Sequence, residues 1–169
     1  MPYYLNMFRK PFTSKRQNMK GKKMNDNQII EKALQIIESR LAVPGQLIDS
    51  PETVVNYLKI KLATQEREVF AVIMLDNRHR VMDYQELFYG SISSAQVNPR
   101  EVVKAALYAN AAAVIIAHNH PSGVAEPSQA DIQITEMLSS ALDLIETRLL
   151  DHIVIGGMNH CSLNERGLI

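Results

Sequence analysis

The chain has 169 residues, 46% of them hydrophobic, with 7 Gly and 7 Pro. That is enough for one well-filled core, and it excludes a disordered or collagen-like polymer. Its 18 basic and 18 acidic residues cancel, and its single cysteine excludes an internal disulfide or a Cys-paired zinc finger, leaving His and carboxylates to hold any metal.

The cancellation hides a division. Residues 1–24 carry Arg9, Lys10, Lys15, Arg16, Lys20, Lys22 and Lys23 and no acid, a tail of +7 ahead of a body of −7. Such a run suits an arm for nucleic acid or anionic surfaces, but the reading that needs no partner, and is preferred, is a solvated, disordered extension upstream of a second start at Met24. No apolar run follows it as a secretory signal requires, and no stretch approaches the roughly 20 apolar residues of a membrane-spanning helix. The expectation is a soluble, cytoplasmic protein.

From Asp26 to Leu41, Ile29, Ile30, Ala33, Leu34, Ile36, Ile37 and Leu41 recur at helical spacing, so an amphipathic helix is predicted. Its apolar face could pack on its own domain or on a second copy of the chain. Pro44 and Gly45 mark residues 42–47 as a linker, so residues 25–47 form a helix-and-linker unit ahead of a domain at 48–169. Ser50 caps a helix that opens on Pro51 and runs to about Leu62. Val69 to Leu75 reads as a strand buried on both faces, and Asp76-Asn77-Arg78 turns into strands at 80–84 and 87–93. Asn98-Pro99 opens a helix to about Asn110, followed by a buried strand at 113–117. A helix from Ser128 to about Ile145 precedes a strand at 149–155 and a short one at 161–163. This irregular alternation predicts one α/β domain, a mixed sheet with helices on both faces.

The strand at 113–117 ends in His118-Asn119-His120. Residues two apart on an extended chain share a side, so both imidazoles can address one point. Asp131 lies in the first turn of the next helix and becomes a third ligand if the intervening Pro/Gly loop folds back. Two His and one Asp leave a tetrahedral zinc ion with one open position, which distinguishes catalytic from structural sites and lowers the pKa of water there to about 7. Singly these residues have plainer explanations, since Ser128 with Asp131 also makes an ordinary helix N-terminus. A proton acceptor is needed as well, and spacing leaves Glu66, Glu68, Asp83, Glu86 and Glu101 all open. His152 reads as a buried, hydrogen-bonded core residue, Cys161 beside His160 as a small buried hydrophobe, and His79 as solvated. Arg100 could pair with a carboxylate or touch substrate.

The pattern His118-x-His120, seven residues, Ser128, two residues, Asp131 resembles the JAMM motif of the MPN (JAB-type) metalloprotease fold. The segments Glu86-Leu87-Phe88-Tyr89-Gly90-Ser91, Val97 to Val103, Ala117 to Gly123, Glu126 to Asp131 and Leu150 to Gly156 look like its bacterial RadC branch, over roughly residues 48–169. The resemblance implies a three-layer, cytidine-deaminase-like architecture and one zinc ion per chain on His118, His120 and Asp131. It makes Glu86 the general base and Ser128 the group that steadies an oxyanion. The implied activity is hydrolysis of peptide or isopeptide bonds in a peptide or protein substrate. Longer RadC-like proteins carry a helix-hairpin-helix segment with a Gly-x-Gly hairpin. Nothing of that kind stands between Asp26 and Leu47, which weakens any DNA-repair reading. The rival reading is a non-catalytic interaction or DNA-associated module that uses the basic N-terminal arm. A zinc nucleobase deaminase is disfavoured, because the His-x-Glu and Pro-Cys-x-x-Cys signature is missing.

Overall fold

Seven consecutive apolar residues have no polar side to turn to water, and they form β1 (Val69–Leu75), buried along its whole length. In the computed structural model, which describes residues 24–41, 50–90 and 97–169, β1 lies inside a five-stranded sheet. The other strands are β2 (Val81–Tyr89), β3 (Ala113–Asn119), β4 (Arg148–Gly156) and β5 (Asn159–Ser162), in the order β2-β1-β3-β4-β5. Only β3 and β4 are parallel. A parallel pair needs a crossover, here the helix α4 (Gln129–Asp143), which carries the chain from the end of β3 back to the start of β4.

The remaining helices are α1 (Asp26–Leu41), α2 (Pro51–Leu62) and α3 (Pro99–Tyr108). Strand alternation decides which helix each side chain meets. Val69, Ala71, Ile73 and Leu75 of β1 face α2, where they pack with Val54, Leu58 and Leu62. Phe70, Val72 and Met74 face α3 and α4, where they meet Val102, Ala106, Leu138 and Leu142. Each large aliphatic side chain buried this way stabilises the fold by about 1.5–3 kcal/mol. The result is the expected mixed sheet with helices on both faces. α1 lies beside α2 with Ile29 and Ile30 exposed.

Two expectations change. The strands expected at 80–84 and 87–93 are one continuous β2, because bulges opposite Phe70/Ala71 and Met74/Leu75 absorb the irregular pattern without ending the pairing. β3 runs two residues past Ala117, so His118 and Asn119 belong to the strand and are buried with it. Helix and strand ends elsewhere shift by one or two residues. The tail at 1–23, the linker at 42–47 and residues 91–93 of the expected third strand lie outside the described residues. Among the described residues no helix is long and apolar enough to cross a membrane.

Candidate metal centre

His118 extends the run of β3 residues that point at α3 and α4, pairing with Phe70 across the sheet. Its ring is buried and stacks on Phe70 at a centroid distance of 6.3 Å. His120 falls just beyond the strand on the same side, tied back by its amide to the Ile155 carbonyl at 2.8 Å. The chain then turns through Pro121, Ser122 and Gly123, with the Gly123 amide donating to the His120 carbonyl at 3.0 Å. Gly123 has φ +81°, a conformation that side chains other than glycine resist.

The loop returns across Gly156 at the end of β4. A Cβ on Gly156 would fall 2.6 Å from the Val124 carbonyl carbon and 2.7 Å from the Gly123 carbonyl oxygen, and closer still to the Ala125 nitrogen. Glycine therefore sets how far the loop folds back. That approach brings the Val124 carbonyl to 2.8 Å from His120 Nδ1 and delivers Ser128 and Asp131 to the histidines. Ser128 caps α4 in a capping box with Asp131. Its hydroxyl and its amide both donate to Asp131 Oδ2, at 2.7 and 2.6 Å.

Three residues then converge. His118 Nε2 is 2.9 Å from His120 Nε2, Asp131 Oδ1 is 3.3 Å from the first and Oδ2 3.5 Å from the second. Ligand atoms each about 2.0–2.1 Å from a tetrahedral zinc would stand roughly 3.3 Å apart. The donor chemistry agrees. A carbonyl cannot donate, so His120 Nδ1 gives its hydrogen to Val124 and a neutral His120 presents the lone pair of Nε2. A carboxylate and an imidazole lone pair crowded together need a cation between them, or a proton. Without a metal, the proton is the answer: the hydrogen bond to Asp131 raises the His120 pKa against the opposing effect of burial, helped by Val124 and by the charges of Asp131 and Glu68. Burial works against ionisation of Asp131 too, but the neighbouring imidazoles of His118 and His120 and the hydrogen bonds from Ser128 hold its carboxyl far below the usual range. His152, fully buried behind His118, is pushed well below the ordinary imidazole value by burial.

The structure separates the acids that spacing left open. Glu86, expected as the general base, pairs with Ala71 across the bulge in β2 and so turns to the α2 face, opposite His118. Without that bulge it would pair with Val72 and face α3 and α4. Its carboxylate instead accepts from Tyr84 and Tyr89, at 3.0 and 2.9 Å, and both phenols are pushed up in pKa, Tyr84 chiefly by burial and Tyr89 chiefly by the Glu86 bond. Asp83 accepts from Gln85, Glu101 pairs with Lys104, and Glu66 is exposed. Glu68 differs. Glu68 and His120 each stand two residues beyond the Phe70–His118 pair that ends the β1–β3 ladder, and the charge of Glu68 acts on His120.

Asn119 explains why an amide separates the two histidines. Pointing the other way, it accepts from the Val69 amide at 2.8 Å and donates to the carbonyls of Arg67 and Gln65, at 3.0 and 3.4 Å. The Gly90 amide adds a bond to the Glu68 carbonyl at 2.8 Å. The segment carrying Glu68 is thereby clamped to the end of the strand that carries His118 and leads into His120. Asn119→Leu should destabilise the protein by about 1–3 kcal/mol, since it strands the buried Val69 amide and leaves Arg67 without its donor. Urea denaturation would check this, and a loss under 0.5 kcal/mol would refute the clamp. Of the remaining residues, Cys161 is buried with Val154 and Leu163 as expected, while His79 and His160 are exposed and take no part in the cluster. Arg100 is exposed on the first turn of α3.

Known proteins resemble the chain closely. A family model described as the RadC-like JAB domain matches residues 48–168, and a JAB domain with a His-His-Asp cluster fits a metal-dependent hydrolase. A UPF0758 protein of Marinomonas sp. is 62% identical over 120 residues, covering 71% of this chain and 54% of the relative. One from Cellvibrio japonicus is 55% identical over 139 residues, covering 82% and 62%. This chain thus spans little more than half the length of these two relatives. A UPF0758 protein of Vibrio cholerae, 49% identical over 158 residues, is covered over 98% of its length by 93% of this chain. Similarity of this depth over nearly the whole of a relative, together with the match to residues 48–168, means that the chain belongs to the RadC-like JAB domain family.

Proposed function

We propose that the protein is a zinc-dependent hydrolase of peptide or isopeptide amide bonds, with His118, His120 and Asp131 as the metal ligands and Glu68 as the general base. The observation that carries the reading is the convergence of imidazole and carboxylate acceptor atoms within 4.8 Å of one another, with the charge of Glu68 acting on His120 from just beyond the end of the strand pair. Zinc in this position would supply Lewis acidity, polarising a carbonyl and lowering the pKa of water from 15.7 towards 7.

The chain's own residues do the rest. Glu68 takes the proton of the attacking water and passes it to the leaving amine, a role that needs a carboxylate beside the reacting atoms but outside the ligand set. Ser128 holds Asp131 in place through its hydroxyl, and turned towards substrate the same hydroxyl would donate to the oxyanion. Phe70, stacked on the His118 ring, keeps that flank of the site apolar, which strengthens each of these electrostatic contacts.

Metal analysis tests the site. Purified wild-type protein should carry on the order of one zinc ion per chain, as expected of a three-ligand catalytic centre, and His118→Ala should lose it while keeping its fold by circular dichroism. If the folded His118→Ala protein retains as much zinc as wild type, the proposed ligands are wrong. A wild-type protein free of zinc that still binds duplex DNA without residues 1–24 would favour an interaction module.

A further inference from the structure

Among the described residues, His152 is a wholly buried imidazole that the proposed reaction leaves without a task. A bulge puts it where it is: Val114 pairs with Leu149 but Ile115 with Asp151, so β4 gains one residue and His152 falls beside Ile116, on the α4 face. Without that extra residue it would point at α2. The ring instead sits behind His118, with its Nε2 2.8 Å from His118 Nδ1. Its other nitrogen, Nδ1, is 2.6 Å from Thr135 Oγ1. Thr135 lies one helical turn beyond Asp131, and its hydroxyl donates to the Asp131 carbonyl.

The hydrogens in this chain can be assigned from chemistry alone. A hydroxyl has one proton, and that of Thr135 goes to a carbonyl, which can only accept. Thr135 Oγ1 must therefore accept from His152 Nδ1–H. An imidazole wholly buried between a hydroxyl and another imidazole carries one ring proton. His152 Nε2 is then a lone pair and accepts from His118 Nδ1–H. This leaves the proton off His118 Nε2, the atom that faces His120 and Asp131.

The alternative arrangement would close the site on itself. A His118 protonated at Nε2 could donate to Asp131 Oδ1, 3.3 Å away, filling the ligand cluster with a hydrogen bond. We propose that Thr135 and His152 form a one-way hydrogen-bond relay that fixes His118 in its Nδ1–H tautomer and so holds its Nε2 open for a metal ion. The relay rests on the metal-centre reading above, and it makes His152 and Thr135 positioning residues. It also joins a ligand on β3 to the backbone of a ligand on α4, so the two elements keep their spacing whether or not metal is bound.

Two measurements test it. Nitrogen-15 NMR of the metal-free protein at alkaline pH should find His118 as the Nδ1–H tautomer. Zinc competition against a chromophoric chelator should show affinity reduced about 10–100-fold, the usual effect of losing the group that orients a histidine ligand, in both Thr135→Val and His152→Phe. His152→Gln should recover part of the loss, because a carboxamide accepts from His118 and donates to Thr135. Thermal melting of each metal-free variant keeps misfolding apart from lost positioning, and Thr135→Val is nearly isosteric should His152→Phe fail to fold. The relay is overturned by a His118 Nε2–H tautomer in wild type, or by zinc affinity within twofold of wild type in folded Thr135→Val. Absence of zinc binding by wild type would instead sink the metal-centre reading, and the tautomer, measured without metal, still decides the relay.

Discussion

Glu68→Gln should keep wild-type zinc content and lower kcat by about 10²–10⁴-fold, the range expected when a general base loses its ability to take a proton. Glutamine preserves the shape of the side chain and can still hydrogen-bond water, so KM should change little. Glu86→Gln provides the contrast. Its carboxylate serves Tyr84 and Tyr89 on the α2 face, so this change should leave kcat within a few-fold and act mainly on the stability of β2. Activity would be followed as cleavage of peptides from a proteome digest that is abolished by chelator and restored by zinc. If Glu86→Gln abolishes that cleavage while Glu68→Gln retains it, the base has been assigned to the wrong strand.

Gly156→Ala, although it touches no ligand, should be nearly as damaging. The added methyl would lie against the backbone of Gly123, Val124 and Ala125, and backbone cannot rotate aside as a side chain can. The loop must lift, which costs about 1–3 kcal/mol as an overpacking change and withdraws the Val124 carbonyl that orients His120. Zinc affinity should fall at least about tenfold, comparable to losing an outer partner of a ligand. Chelator competition and thermal melting together would check this. Wild-type affinity and melting temperature in Gly156→Ala would show that the loop does not depend on its close approach to β4.

Much of this site was legible in the primary structure because its parts are local. His118 and His120 share a side by strand alternation, and Ser128 with Asp131 spells a helix N-terminus whatever else it does. The apolar run at 69–75 announced a doubly covered strand, and β1 has the predicted bounds. The base was not legible, since five acids lay upstream at plausible distances. The resemblance favoured Glu86, but a single bulge turns that residue to the opposite face, and bulges leave no periodic mark in a strand whose pattern is already irregular. Glu68 stood among the five candidates, yet only the pairing of Phe70 with His118 brings its end of β1 beside the end of β3 that leads to His120. His152 was recognised as buried and hydrogen-bonded, whereas its partners lie 17 and 34 residues away.

The amino-acid sequence by itself determined that any metal here would be held by imidazole and carboxylate, that His118 and His120 share one side, and that Asp131 opens the next helix. Those facts depend on composition and on contacts a few residues apart, where backbone geometry leaves few choices. Tertiary structure alone decided which carboxylate faces the ligands, which imidazole stands behind them and how closely the loop folds onto β4. Each of these depends on strand register, and register is set by the whole sheet: moving one residue in or out of a strand exchanges its two faces.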